Sequence, residues 1–252
     1  MKDIQSQQDH RQINIKKVGV KDISYPITVL DKSEQLQQTV ANVNMYVNLP
    51  HHFKGTHMSR FVEILNRFHG NINLESFHVI LEEMKEKLQA EAAHMEIRFP
   101  YFLKKKKPLP NTIGIGKYIC TMHGSLEKGD DLTLDVQIPI FPPTPPQSNN
   151  VLPRSLGKWG VANISLRFLN FIWIEDIIEM AEEVTSHDLC LLADENPGKG
   201  NFLSVEKIAT SLGQRLSEHP HIRWFSVTVE NLSEGFNTFA SLEWPEKNLS
   251  IN

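Results

Sequence analysis

Apolar positions along this chain switch between two periods, and the switches mark out its elements. Over 18–29 (VGVKDISYPITV) β-branched residues crowd together, which predicts a strand. Pro26 places that strand at a sheet edge or a bulge, because proline has no amide to give a ladder. A polar connector follows over 30–38. Over 39–49, Val40, Val43, Met45 and Val47 mix with polar neighbours, the period of a half-buried strand. Together the two segments predict a long antiparallel hairpin. The period then lengthens. Met58, Phe61, Val62, Leu65 and Phe68 recur at helical steps up to Gly70, a stop residue. Phe77, Ile80, Leu81, Met84 and Leu88 form the stripe of a second helix, with Glu82, Glu83, Lys85 and Lys87 on its solvated face. A strand over 94–102, broken by Pro100, ends at Lys104-Lys105-Lys106-Lys107.

The second half repeats the order. Residues 113–126 predict a strand, Lys128-Gly129-Asp130 a turn, and 131–141 an alternating strand. Pro139, Pro142, Pro143, Pro145, Pro146 and Pro153 then predict a stiff extended loop that is neither regular helix nor central strand. Residues 161–171 resume strand. Ile174, Ile177, Ile178, Ala181 and Val184 mark a third helix, and 193–201 a loop. Val205, Ile208, Ala209, Leu212 and Leu216 mark a fourth helix, with Ser204 as its N-cap. Residues 222–230 and 237–244 close with two strands. The resulting class is α+β: a ββααββ module over 13–127 and another over 128–246, forming one continuous domain, with a polar arm at 1–12 and a tail at 247–252. Each module puts two helices on one face of an antiparallel sheet. Open sheet edges need a partner, which predicts an oligomer.

Composition narrows the classes. The 252 residues are 40% hydrophobic and 22% charged, with net charge -4. There is no basic field for nucleic acid, and no apolar run near the roughly 18 residues of a membrane span. The N-terminal stretch lacks the apolar core of a signal peptide, so a cytoplasmic protein is expected. Cys120 and Cys190 are the two cysteines, too few for a cysteine zinc cage and against a disulfide scaffold.

Candidate chemistry gathers at Lys54-Gly55-Thr56-His57-Met58-Ser59-Arg60-Phe61. Cations, hydroxyls and a histidine meet there at a helix start, whose first N–H groups have no partner within the helix and favour anions. The lysine run 104–107 reads as an edge protected from aggregation or, alternatively, as an attractor for an anionic ligand; the first is simpler. Adjacent His51 and His52 point to opposite sides of an extended chain. Cys190 with His187 offers an i, i+3 pair near Asp188, without a motif around it. Cys120 reads as a buried thiol. His219 and His221 read as a surface turn, and Trp159, Trp173, Trp224 and Trp244 as packing residues.

VGVKDISYPITV (18–29), KGTHMSRFV (54–62), FPYFLKKKKP (99–108), the Ile138-Pro139 step, IATSL (208–212) and ENL (230–232) resemble type IB GTP cyclohydrolases of the tunnelling-fold (T-fold) superfamily. The likeness is collinear over about 13–244. It implies a homotetramer whose β-barrel tunnel closes through oligomerisation, with active sites at subunit interfaces. It also implies hydrolytic opening of the GTP imidazole ring, loss of formate and re-closure to a dihydropterin triphosphate for folate synthesis, using a metal, an activated water and a cysteine. The same resemblance places Lys54, Thr56, His57, Ser59 and Arg60 around a phosphate or similar anion.

Other family positions are filled differently here. Thr144 stands where the family's catalytic cysteine is matched, and Lys158 and Asn163 where a histidine segment is matched. Phe236 and Thr238 stand at a further histidine-containing element. Glu195 is the match to a metal-binding carboxylate. Glu206 or Glu195 is the candidate anchor for the heterocycle. Between 128 and 186 the chain has neither histidine nor cysteine, whereas a divalent site needs converging N, O or S donors. The expectation is therefore a relative with no bound metal and no cofactor, binding a purine- or pterin-like or other anionic small molecule. The standard ring opening would be lost, and Thr144, Lys158 and His57 would serve any metal-free chemistry. Two alternatives stand beside it. One is a non-catalytic regulatory binder. The other is a working GTP cyclohydrolase with a rearranged site built on Glu195, His187 and Cys190.

Overall fold

A computed structural model describes residues 15–33, 35–49, 57–68, 74–105, 114–140, 159–194, 204–232 and 235–244. For residues 15, 49, 74–75 and 186–194 it describes the backbone alone. The elements are β1 (Ile15–Asp31), β2 (Gln35–Leu49), α1 (Met58–Arg67), α2 (Leu74–Leu88), β3 (Ala93–Lys104), β4 (Ile115–Leu126), β5 (Asp130–Ile140), β6 (Gly160–Phe168), α3 (Ile174–Asp194), α4 (Val205–Ser217), β7 (Ile222–Leu232) and β8 (Asn237–Trp244). The eight strands neighbour one another in chain order, and the pairs β1/β2, β2/β3, β6/β7 and β7/β8 are antiparallel. The α+β expectation and the doubled ββααββ order hold.

The chain divides into two compact units. One contains the residues up to Phe102 together with Ile119–Leu134, and the other contains Leu103–Tyr118 together with the residues from Asp135. In the first, alternation buries Val43, Met45 and Val47 of β2 and Met95, Ile97 and Phe99 of β3. Phe61, Ile64 and Leu65 of α1 and Phe77, Ile80, Leu81 and Met84 of α2 complete that core. In the second, Ala162, Ile164 and Leu166 of β6 and Phe225, Val227 and Val229 of β7 are buried, and α4, which buries Ile208, Ala209, Leu212 and Leu216, packs on β7 and β8. Ser204 caps α4 as expected, its hydroxyl accepting from the Lys207 N–H.

Several boundaries differ from the sequence reading. The expected connector over 30–38 is shorter at both ends, because strand pairing continues through Leu30↔Leu36 and Asp31↔Gln35. The Asp31 carboxylate holds the turn, accepting from the amide and the hydroxyl of Ser33, both at 2.9 Å. Pro26 lies on an edge strand, as expected, and pairs regularly with Val40, while register shifts fall between Ile15 and Val18 and between Val20 and Ile23. There Asp22 has φ 58° and its N–H donates to Asn44 Oδ1 at 2.9 Å. Pro100 does not break β3. Side chains of β2 take over where the ladder loses its donor: Thr39 Oγ1 donates to Pro100 O at 3.0 Å, Gln37 Nε2 donates to Phe102 O at 2.8 Å, and Phe102 N donates to Gln37 Oε1 at 2.8 Å. Pro139 lies inside β5 rather than opening the loop, and α3 extends to Asp194 through part of the expected loop. The arm at 1–12, the tail, Gly70 and the prolines from Pro142 to Pro153 lie outside the described residues.

Candidate functional site

The first unit carries the helix start singled out by the sequence. His57 is the N-cap of α1, in extended conformation (φ -78°, ψ 111°), and its side chain makes no cap hydrogen bond. The cap closes through the backbone, Arg60 N donating to His57 O at 3.1 Å. No acidic residue occupies the first turn of α1, so nothing there competes with an external anion for the positive end of the helix dipole. His57 is half-buried, and Ser59 and Arg60 are exposed. Lys54 and Thr56 lie outside the described residues.

Arg60 also makes a hydrogen bond within the first unit. Its guanidinium Nη1 donates to Lys87 O, at the end of α2, at 2.9 Å. Of the lysine run, Lys105 Nζ is bonded to Glu182 Oε1 at 2.8 Å, and Lys106 and Lys107 lie outside the described residues. Tyr118 OH donates to the same Glu182 oxygen. Burial first, and then the Glu182 hydrogen bond, push the Tyr118 phenol far above its ordinary value. These three side chains form a fold-stabilising knot in the second unit, so Lys105 is not free to attract a ligand.

Glu206 sits in the first turn of α4. Ser204 Oγ donates to its carboxylate. That bond, followed by the residue's own backbone N–H, holds the Glu206 carboxyl below the usual range. Glu206 is thus an exposed, fully ionised acceptor, the chemistry that would receive the adjacent N–H donors of a guanine-like ring edge.

Asn163 projects from β6, and its Oδ1 accepts from Gln137 Nε2 at 3.0 Å. An amide already paired with another amide does not fit the role of a neutral imidazole ligand. Among the described residues no group of three His, Cys, Asp or Glu side chains is arranged to hold a metal ion. Thr144, Lys158 and Glu195 lie outside the described residues, as do the side chains of His187, Asp188 and Cys190. Cys120 is fully buried, as expected. Trp224 Nε1 donates to Glu243 at 2.7 Å and Trp244 stacks on Phe225, as packing residues do.

The sequence reading missed one feature beside the site. Asn48, at the end of β2, binds the corner between α2 and β3 through Ala92 N at 2.6 Å and Glu91 Oε2 at 3.3 Å. An asparagine closing a strand is a local signal, but its partners lie over forty residues away.

The antiparallel sheet with its helix pairs belongs to an α+β architecture shared with uricases. The structure superposes on a uricase from Bacillus fastidious with TM-score 0.58 at 10% identity, covering 92% of this chain and 93% of that one. It superposes on the uricase from Arthrobacter globiformis with TM-score 0.58 at 6% identity, covering 92% and 94%. At such identities the likeness concerns the fold alone. Sequence carries the assignment further. The family model for type I GTP cyclohydrolase folE2 matches residues 1–234. GTP cyclohydrolase FolE2 of Geobacter metallireducens is 44% identical over 267 aligned positions, covering 98% of each chain. That of Syntrophus aciditrophicus is 42% identical over 253, covering 96% of this chain and 99% of the relative. The chain belongs to the type I GTP cyclohydrolase FolE2 family. No helix among the described residues is long and apolar enough to cross a membrane.

Proposed function

We propose that this chain binds GTP and acts on it as a GTP cyclohydrolase. The observation that carries this reading is identity of 42–44% along nearly the whole length of relatives that bear that name. Nothing in those comparisons supports the loss of activity expected from the sequence. The positive end of α1, with His57 and Ser59, would receive the phosphates. The Glu206 carboxylate would accept hydrogen bonds from the guanine edge. Thr144 and Lys158 remain the candidates for polar roles at the reacting ring. The open edges of β1 and β8, and the exposed Phe236 and Phe239, support assembly into a homo-oligomer, proposed as a tetramer.

A second reading is favoured by one specific observation. Residues 128–186 contain no histidine or cysteine, and Asn163 is committed to Gln137. In this reading the chain binds the purine nucleotide or a pterin-like product without the metal-dependent ring opening, and no metal or cofactor is bound at the family's positions. A bound metal would contribute Lewis-acid activation of water. The residues standing at the matched positions (a hydroxyl, an ammonium and an amide) are a poor donor set for it.

One experiment separates the two. The purified protein is assayed for metal content and for binding of GTP and of a dihydropterin. It is then incubated with GTP, with and without added zinc or manganese, while dihydropterin fluorescence and released formate are followed. Turnover abolished by a chelator supports the first reading. Saturable binding with neither product supports the second; absence of GTP binding sinks the first, and absence of binding to both GTP and a dihydropterin sinks the second.

A further inference from the structure

The last four carbonyls of any α-helix lack partners within the helix, and those of α2 lead back to Arg60. Gln89, directly after Leu88, takes the left-handed conformation at φ 51°. Ala90 N donates to Lys85 O at 2.9 Å and Gln89 N to Glu86 O at 3.2 Å, the bond pair of a Schellman stop. That stop leaves Lys87 O over, and Arg60 Nη1 donates to it at 2.9 Å. A cation in the first turn of α1 is opposed by the dipole of its own helix. Turned onto the C-terminal end of α2, the same cation is favoured.

The chain is tied to the same corner just before α1 as well. Asn48 N donates to Ala92 O at 3.2 Å, Asn48 Oδ1 accepts from Ala92 N at 2.6 Å, and Asn48 Nδ2 donates to Glu91 Oε2 at 3.3 Å. The exit of β2 and the first turn of α1 are therefore both anchored to residues 87–92.

We propose that Asn48 and Arg60 are positioning residues. They clamp the end of β2 and the first turn of α1 to the α2–β3 corner, and so fix where the first-turn N–H groups of α1 point. Arg60 acts on a bound nucleotide through the helix it orients, and its own charge stays on Lys87 O. The proposal rests on the reading of the α1 start as the phosphate end of the GTP site.

The test uses the full chain and the variants Asn48→Ala, Arg60→Ala, Arg60→Lys and the double alanine. Amide hydrogen exchange over residues 58–61 is measured without ligand, and GTP affinity is measured at several salt concentrations. Each alanine variant is expected to speed first-turn exchange roughly fivefold to tenfold, as for loss of one hydrogen bond. Each is also expected to raise the Kd for GTP about threefold to tenfold. Arg60→Lys, which keeps a donor for Lys87 O, is expected to recover part of both. A positioning role leaves the salt dependence of Kd parallel to that of the native chain, because no charge has been removed from the ligand contact. Unchanged exchange in Arg60→Ala overturns the clamp. A flatter salt dependence in Arg60→Ala overturns it as well, since it identifies direct contact with phosphate. A native chain that does not bind GTP removes the nucleotide reading and the positioning role with it, while the exchange data still decide whether the clamp exists.

Discussion

His78 Nδ1 lies 2.6 Å from Asp130 Oδ2, joining α2 to the start of β5. The other ring nitrogen, Nε2, lies 3.1 Å from Glu82 Oε1. Only the imidazolium has two N–H groups to give two carboxylates. The hydrogen bond to Asp130 raises the His78 pKa above 6.5, against a smaller opposing effect of burial, and the charges of Asp130 and Glu82 add to the rise. A raised folded-state pKa contributes stability that is complete below the unfolded value and is lost as pH rises through the folded one. Asp130→Asn should therefore lower the melting temperature most at about pH 6 and least at about pH 9. NMR titration should show the His78 pKa above 6.5 in the native chain and lower in Asp130→Asn. Equal destabilisation at both pH values would contradict the assignment.

Tyr118 and Lys105 share one carboxylate oxygen of Glu182. Tyr118 is almost fully buried, so its hydroxyl has no access to solvent as a substitute partner. Tyr118→Phe keeps the ring and removes one hydrogen bond to a charged group, a loss of about 1.5–3 kcal/mol, readable by denaturant unfolding. Because the phenol is pushed far upward by burial and by Glu182, it should not ionise where an ordinary tyrosine does. Alkaline absorbance titrations of native protein and Tyr118→Phe should superimpose up to about pH 11. One additional titrating phenol in the native chain would refute this.

How far the sequence revealed the molecule depends on how local each determinant is. The stripe Phe77, Ile80, Leu81, Met84 and Leu88 is a property of one helix, and all five residues are buried. In α1 the stripe was misjudged by one shoulder: Ile64 is buried, while Met58 and Val62 are each about 40% exposed. Three- and four-residue steps reach Val62 from Met58 and Ile64 from Phe61, and periodicity alone does not choose between them. The strand through Pro100 was illegible because Thr39 and Gln37, sixty residues earlier, replace the missing ladder bonds. The same holds for the site. The helix start at His57 was visible locally, but the turning of Arg60 onto Lys87 O depends on where α2 ends. The proline-rich stretch carrying Thr144 and Lys158 has no period to read, and it lies outside the described residues.

Two glycines should respond differently to the same methyl group. A Cβ at Gly19 would press into the backbone carbonyl of Met45 on the paired strand. A Cβ at Gly124 would press into the ring of Phe77. A side chain can give way and a paired strand backbone cannot, so Gly19→Ala should be the more destabilising. Gly124→Ala is expected to cost about 1–3 kcal/mol, as for a moderately overfilled core. Chemical denaturation of both variants checks the order, and a reversal would mean that β1 shifts along β2 more easily than Phe77 moves.

Glu206 supplies the last test, directed at which ring the site reads. Its carboxyl is held below the usual range chiefly by the Ser204 hydroxyl and lies at the start of α4. An ionised carboxylate presents two acceptor oxygens and no donor. The guanine edge offers adjacent N–H donors, whereas the corresponding edge of adenine offers an acceptor beside its amine. Glu206→Gln keeps the size of the side chain and replaces one acceptor with a donor, leaving a mismatch worth about 1–3 kcal/mol. If Glu206 anchors the ring, GTP affinity should fall about tenfold or more while ATP affinity changes little. Calorimetric titration of both nucleotides reads this directly. The melting temperature should change little, because Glu206 is exposed, so a loss of GTP binding in Glu206→Gln would not be a loss of fold. Equal weakening of GTP and ATP would instead make Glu206 part of the general electrostatics of the α4 start, and unchanged GTP binding would remove it from the site.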